Sequence, residues 1–116
     1  MLTIDQKILD AFHSMWESFP EPVTLVHKSR EVLAVNKACA GMRTVGTKCS
    51  SQGGPEAHRG CKANKALSLG QATYSKQDVN GKPIIAYWLP VANEPDIFVH
   101  FGVGITIDYD AVDANA

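Results

Sequence analysis

Residues 22–36 read Pro-Val-Thr-Leu-Val-His-Lys-Ser-Arg-Glu-Val-Leu-Ala-Val-Asn, and residues 98–108 read Phe-Val-His-Phe-Gly-Val-Gly-Ile-Thr-Ile-Asp. The first stretch holds two short apolar runs separated by a polar turn, which is typical of two consecutive β-strands. The second stretch alternates with period two, which predicts a strand with one covered face. The two stretches therefore bracket a small sheet.

The rest of the chain predicts the order helix, β-β-α-α-β-β-β. Residues 3–18 carry an apolar helical stripe, and Thr3 with Gln6 fits a capping box at its start. Asn36 can cap a short helix over 37–42, and a longer helix begins at Pro55 and ends at Gly70. Strands are predicted at about 22–27, 31–36, 72–79, 84–92 and 97–107. The last two strands should form an antiparallel hairpin, because their connection is only four residues long.

This order resembles that of a PAS sensor domain over about residues 20–109. Pro22–Val26 looks like the first PAS strand, and Glu31–Ala38 looks like the second strand with the Asn that opens the next helix. Gly102–Asp108 looks like the closing strand. The resemblance implies an α+β fold, in which a five-stranded antiparallel sheet carries helices on one face and follows an N-terminal amphipathic helix.

The predicted organisation has three parts. Residues 1–19 form the amphipathic helix, which serves dimerisation or capping, and residues 20–110 form the PAS-like sensor domain. Residues 111–116 are small and polar, which predicts a disordered tail.

Composition excludes several classes of partner. The 116 residues are 45% apolar and 20% charged, which is ordinary for one globular domain. A net charge of −1 gives no basis for binding nucleic acid or an anionic membrane. No apolar run reaches the ~20 residues that span a bilayer. Three Cys is an odd number without the spacing of a small secreted protein, which favours reduced thiols and a cytoplasmic location.

Cys49, His58 and Cys61 form a candidate metal or cofactor site. His58 and Cys61 are three residues apart, so they share one face of a helix, and the loop that carries Cys49 could fold back onto it. Thiolates with an imidazole suit zinc or iron, including a haem or other iron centre, and Cys39 could supply a fourth ligand. The identity of any cofactor stays open.

Other interpretations of the same residues stay open. The run Gly46-Thr-Lys-Cys49 resembles a Cys-bearing subset of bacterial PAS domains, in which a Cys-x-x-Cys follows, whereas here the downstream element is Gly-Cys-Lys-Ala. An iron–sulfur cluster usually wants four thiolates. Alternatively, Cys61 packs against the sheet as a small hydrophobe, or Cys49 and Cys61 form a disulfide.

A ligand pocket is predicted on the concave side of the sheet, with Cys39, Tyr87, Trp88 and Phe101 as candidate lining residues. Tyr87 and Trp88 are neighbours on one strand, so they point to opposite faces, and the sequence does not say which of them faces the pocket. His100 falls in register with Gly102 and Gly104, away from the apolar positions, which favours exposure or an interface over catalysis.

The sequence therefore predicts a sensory signal-transduction module and not an enzyme. It would bind a small ligand or cofactor and relay its occupancy to a signalling partner. The alternative is a ligand-free PAS fold used for dimerisation or docking. The apolar stripe of helix 3–18 must pack on the sheet of its own chain, on the sheet of a second copy, or on the same helix of a second copy. We predict a two-fold homodimer in which this helix meets the outer sheet face.

Overall fold

The computed structural model describes residues 4–49, 61–79 and 81–111. Five strands form one antiparallel sheet in the spatial order β2-β1-β5-β4-β3, which confirms the predicted fold class. The strands are β1 (Val23–His27), β2 (Val32–Val35), β3 (Thr73–Val79), β4 (Lys82–Val91) and β5 (Glu94–Val103). The helices are α1 (Gln6–Trp16) and α2 (Ala63–Leu69), with short 3-10 turns at Lys37–Cys39 and Tyr109–Ala111. In the described part of the chain, no helix is long and apolar enough to cross a membrane.

The boundaries of α1 and α2 depart from the predicted ones. Helix α1 begins after Asp5, whose side chain accepts a hydrogen bond from the Lys7 N–H at 2.8 Å, so Asp5 is the N-cap. Thr3 of the predicted capping box lies outside the described residues, as do residues 50–60 at the start of the predicted second helix. Gly70 ends α2 with a φ of 65°, the left-handed conformation that favours glycine at this position.

Strand β5 is shifted towards the N-terminus relative to the predicted 97–107. It starts at Glu94 because the hairpin turn needs only Ala92 and Asn93, and Asn93 takes a φ of 64° there. It ends at Val103 because Gly104 adopts a φ of 100°, which turns the backbone out of the strand. The β4–β5 hairpin is antiparallel, as its short connection predicts.

The outer face of the sheet is covered by α1. Phe12 of α1 is buried against Val23 and Leu25 of β1 and Val99 of β5. Further apolar side chains extend the same cluster, among them Ile4, Ile8, Leu9, Trp16, Phe19, Leu89 and Phe101. The apolar stripe of α1 therefore packs on the sheet of its own chain, apart from Met15, which is exposed. Homodimerisation stays a prediction, but most of the apolar surface that motivated it is already covered within the chain.

The inner face is covered by α2 and the first 3-10 turn. Ala63 and Ala66 of α2 pack against Trp88 and Phe98, and their small side chains let the helix lie close to the sheet. Cys39 of the 3-10 turn is buried, with its Sγ 3.6 Å from the hydroxyl of Thr24 on β1. Two separate elements, α2 and the first 3-10 turn, therefore cover the inner face.

Buried Asn36 joins the two faces. Its side-chain oxygen accepts hydrogen bonds from the N–H groups of Cys39 and Val23, as the predicted N-cap of the short helix requires. Its amide nitrogen donates to the carbonyls of Trp16, Phe19 and Glu21 at 3.0–3.2 Å. The Asn36 side chain therefore fixes the end of α1 relative to β1 and to the 3-10 turn that covers part of the inner face.

Candidate functional site

A small pocket lies over the inner sheet face, beside Arg43, Cys49 and Cys61. Its volume is about 50 Å³, which is room for a few waters or a compact ligand. Among the described residues that line it, none is acidic and two are arginines. The lining residues are Val26, Arg30, Arg43, Cys49, Cys61, Gln77, Trp88, Phe98 and His100.

His100 is a partly buried titratable group of this pocket. Its ring stacks on Trp88 with the ring centroids 4.9 Å apart and the planes 16° from parallel. Burial lowers the pKa of His100 to about 4, and the charge of Arg43 pushes it in the same direction, while the hydrogen bond to Tyr87 opposes both. The ring is therefore neutral at pH 7. His100 lies on the face opposite Val99 and Phe101, as the alternation predicts. The exposure expected for it is not found, because that inner face is covered as well and His100 lies opposite Trp88 there.

The tautomer of His100 follows from its one hydrogen bond. Nδ1 lies 2.9 Å from the carbonyl oxygen of Tyr87, and a carbonyl can only accept, so Nδ1 carries the proton. In a neutral imidazole the other nitrogen, Nε2, is then a bare acceptor. The ring thus offers the pocket a lone pair for a ligand that donates a hydrogen bond.

The two arginines of the pocket are held very differently. Arg30 donates to the carbonyl of Lys28 at 2.7 Å and to the side-chain oxygen of Asn64 at 2.9 Å, and its guanidinium lies 5.6 Å from the centre of the Phe98 ring. The guanidinium of Arg43 makes no hydrogen bond and no ion pair with the described residues. Its charge nevertheless acts on both His100 and Cys49. Within the described part of the chain, the side-chain donors of Arg43 are therefore left for a ligand.

The structure brings Cys49 and Cys61 to the same pocket. Cys49 is partly buried and Cys61 is exposed, and neither is in a disulfide. Burial raises the pKa of Cys49, and the nearby Cys61 adds to that rise, while Arg43 and Arg30 oppose it. The interpretation of Cys61 as a buried packing residue is therefore wrong. His58 lies outside the described residues.

The described residues offer two thiols but not a complete metal centre. Among residues 4–49, 61–79 and 81–111, no three His, Cys, Asp or Glu side chains are placed to hold a metal ion. Cys39 sits in the core beside Thr24 and does not line the pocket, so it is not placed as a fourth ligand. A haem does not fit the pocket, because even drug-sized ligands occupy roughly 300 Å³ or more. The zinc or iron hypothesis for Cys49, His58 and Cys61 stays a prediction.

The four predicted ligand-pocket residues are divided between the two faces. Trp88 lines the inner pocket. Tyr87 and Phe101 stack on each other on the outer face, with their centroids 5.1 Å apart, and Phe101 also contacts Trp16 and Phe19. The pairing of β4 with β5 decides which of these side chains point to the inner face. The sequence does not show this, because residues 84–89 are apolar throughout.

Arg43 and Gln77 are pocket residues that sequence reasoning missed. Arg43 belongs to an irregular loop, where no periodicity indicates which way a side chain points. Gln77 lies on β3, and its pairing with Ile84 places it on the inner face. A polar residue on an edge strand is ordinarily a solvent-facing one, so no signal in the sequence separates it from its neighbours.

Glu21 is a second unpredicted feature and is fully buried. Its carboxylate accepts hydrogen bonds from the N–H of Gly104 at 2.9 Å, the N–H of Thr106 at 3.0 Å and the hydroxyl of Tyr109 at 2.9 Å. Burial alone would raise the pKa of Glu21, yet these donors together hold it below the ordinary value. The carboxylate therefore clamps the segment that leaves β5 onto the start of β1.

A larger concavity of about 970 Å³ lies at the β3–β4 end of the sheet, and two of its lysines are engaged by backbone carbonyls. Lys62 donates to the carbonyl of Tyr74 at 3.0 Å, and Lys82 donates to the carbonyl of Ile107 at 3.3 Å. This concavity is open to solvent, whereas the small inner pocket holds an imidazole acceptor and a guanidinium that has no hydrogen bond or ion pair with the described residues. The inner pocket is thus the better candidate site.

Comparisons with known proteins find similar structures. No protein-family model matches the chain, and no curated protein matches it. The PAS domain of BvgS from Bordetella pertussis superposes with a TM-score of 0.68 at 15% identity over 90% of each chain. A domain of an HTR-like protein from Haloarcula marismortui gives 0.59 at 25% identity, over 72% of this chain and 95% of that one. A sensory box sensor histidine kinase from Vibrio cholerae gives 0.60 at 12% identity, over 84% of this chain and 87% of that one.

Proposed function

Because the chain has the fold of PAS domains, we propose that it is a sensory module that binds a compact organic anion in the inner pocket and relays its occupancy to a protein partner. The observation that carries this proposal is Arg43. Its guanidinium lines a pocket in which no described residue is acidic, and it has no hydrogen bond or ion pair with the described residues. A partly buried cation without a counter-ion favours an anionic ligand.

The chemistry of the pocket limits which anions can bind there. A guanidinium binds a carboxylate through two parallel hydrogen bonds, so Arg43 favours a carboxylate over a spherical ion. His100 Nε2 accepts a hydrogen bond, which favours a ligand with a hydroxyl group beside the carboxylate. The volume of about 50 Å³ limits that ligand to a few non-hydrogen atoms. Short hydroxy acids meet all three conditions.

The role we propose is binding and not catalysis. A general base works best when its pKa lies near the operating pH. The pKa of His100 is about 4, so its Nε2 is a weak base at neutral pH and serves as a hydrogen-bond acceptor.

Strand β5 supports the proposed relay to a partner. It carries His100 and Phe98 into the pocket and then continues to Gly104, whose N–H is held by the Glu21 carboxylate. A ligand that shifts His100 therefore acts on a strand whose end is clamped to β1. We propose that segment 104–111 presents the change to the partner.

The proposal is tested with glycolate, acetate and sodium chloride at matched ionic strength. Glycolate should raise the Tm, by roughly 10 °C at 100 times its Kd, because a ligand that binds only the folded state stabilises it. Acetate, which lacks the hydroxyl group, should bind more weakly. Arg43→Met should abolish both shifts, while Lys7→Met removes an exposed positive charge on α1 and should leave them intact.

Two results would contradict the proposal. One is a Tm that no small carboxylate raises above the chloride control at millimolar concentration. The other is an equal shift in wild type and Arg43→Met, which would place binding elsewhere on the surface. Calorimetric titration of wild type with glycolate provides the stoichiometry, and we expect one site per chain.

A ligand-free docking module is a second candidate function that one observation favours. Tyr74 of β3 is 63% exposed and Ile85 of β4 is 41% exposed, beside the end of the outer face that α1 leaves uncovered. Tyr74→Ser with Ile85→Ser should weaken partner binding if this surface docks a protein, and should leave glycolate binding unchanged.

A further inference from the structure

Cys49 and Cys61 are brought to the inner pocket by two separate backbone anchors. The N–H of Cys49 donates to the carbonyl of Arg30 at 2.8 Å, directly after the bridge between Lys48 and Glu31. Cys61 comes two residues before α2, which is packed on the inner face through Ala63. Eleven residues separate the two thiols in the sequence, yet both line a pocket of only about 50 Å³.

The two thiols differ in their access to solvent. Cys61 is exposed, so a dissolved oxidant reaches it directly, whereas Cys49 is partly buried. Cys61 and the guanidinium groups of Arg30 and Arg43 lie close enough to Cys49 to act on its charge. Nearby positive charge stabilises a thiolate as it forms. Cys61 is therefore the thiol that the oxidant reaches first, and Cys49 is the thiol that can react with the oxidised Cys61.

We propose that Cys49 and Cys61 form a reversible disulfide when the protein meets a hydroperoxide, which makes the pocket a thiol redox site. The Cys61 thiolate attacks one peroxide oxygen, the O–O bond breaks, and after protonation water leaves, so that Cys61 becomes a sulfenic acid. The Cys49 sulfur, losing its proton, then attacks the Cys61 sulfur, and the hydroxyl group leaves with a proton as a second water. Two thiols are oxidised, one peroxide is reduced, and a thiol reductant reverses the bond.

This inference goes beyond the proposed anion binding and does not depend on it. Oxidation would tie the two ends of segment 50–60 together and remove both thiols from the pocket lining. Trp88 lines the same pocket, so its fluorescence reports the change. The only other tryptophan, Trp16, lies on the outer face, and Trp16→Phe leaves Trp88 as the sole emitter.

The test treats the full chain with hydrogen peroxide, then unfolds it and alkylates the remaining thiols. The untreated chain should take up three alkyl groups, one per cysteine, and the oxidised chain should take up one, on Cys39. Peptide mapping should find Cys49 joined to Cys61, and dithiothreitol should restore three alkylatable thiols. In the Trp16→Phe background, Trp88 emission should change on oxidation and return on reduction.

Matched variants separate this disulfide from other oxidation. Cys39→Ala should still form the crosslink and then retain no alkylatable thiol, because Cys39 is buried in the core away from the pocket. Cys49→Ser and Cys61→Ser should each lose the crosslink and the reversible Trp88 signal. Circular dichroism confirms that each variant is folded.

Two outcomes would overturn the proposal. In one, peroxide carries Cys61 to the sulfinic acid while Cys49 stays alkylatable, which would show that the two sulfurs cannot meet. In the other, the crosslink joins two different chains or involves Cys39. Glycolate binding is measured separately on reduced protein, so failure of the redox site and failure of the anion site are distinguishable.

Discussion

His100 gains its properties from its surroundings and not from its position in the sequence. The alternation of β5 suggests a solvent-facing side chain, but the second helix and the Cys49 loop cover that face and leave the ring stacked on Trp88. Burial then makes the neutral ring the favoured form at physiological pH.

We expect His100 to make stability depend on pH between about 6.5 and 4. The folded pKa of about 4 lies below the ordinary value of 6.5, so the unfolded state binds more protons in this pH range. Stability is therefore fully present above the unfolded pKa and is lost as the pH falls through the folded one. The loss is on the order of 3 kcal/mol.

Urea unfolding of wild type and His100→Phe at several pH values measures this effect. The variant should show a flatter profile between about pH 6.5 and 4. His13→Phe, at an exposed position on α1, serves as the control and should follow the wild-type profile. Parallel profiles for wild type and His100→Phe would contradict the assignment.

Glu21 should titrate at lower pH than His100. Because its folded pKa lies below the ordinary value of 4.5, its stabilisation is present above the unfolded pKa and is lost as the pH falls through the folded one. Glu21→Gln replaces a charged acceptor by an amide whose nitrogen cannot accept, and we expect a cost of about 2–4 kcal/mol at pH 7. Glu17→Gln, in an exposed pair with His13, should cost less than about 1 kcal/mol. Similar losses in the free energy of unfolding for the two variants would contradict the role of Glu21 in holding segment 104–109 to β1.

At the level of elements, α1 acts as a cover for the outer sheet face. Its buried residue Phe12 contacts both β1 and β5, whereas Met15, one turn later, is 70% exposed. A stripe read from sequence does not distinguish these two positions, since both are apolar. Only the direction in which the helix crosses the sheet decides which of them is buried.

Phe12→Ala and Met15→Ala test this arrangement. We expect Phe12→Ala to lower the free energy of unfolding by about 3–5 kcal/mol, because it leaves a cavity between α1 and the sheet. Met15→Ala should change it by less than about 0.5 kcal/mol. Chemical denaturation provides both values, and equal losses would mean that α1 docks through another face.

For the whole molecule, α1 decides whether the folded sheet exposes an apolar surface. Deleting residues 1–19 would uncover the outer face, including Val23, Leu25, Val99 and Phe101. Contiguous apolar patches of several hundred Å² are unusual on soluble monomers. We expect the truncated chain to aggregate or to associate, which light scattering measures.

The homodimer prediction is tested on the intact chain. Since α1 covers its own sheet, a dimer would have to use other surfaces, such as the exposed Tyr74 and Ile85. Sedimentation at high micromolar concentration should show a species of twice the chain mass if the prediction holds. A monodisperse monomer would refute it.

The sequence by itself determined the order of the elements and the N-cap role of Asn36, and it determined the fold class through its resemblance to a PAS domain. The order and the cap follow from local rules, namely apolar periodicity, turn residues and caps, which act over a few neighbouring positions. Only the tertiary structure decided that Trp88 and His100 face the pocket while Tyr87 and Phe101 lie under α1, because strand pairing sets that phase. It also decided the roles of Arg43 and Glu21, since the partners of Glu21 lie far away in the chain and the Arg43 guanidinium has none among the described residues. Long-range pairing of charges and donors depends on how elements pack, and no short stretch of sequence encodes it.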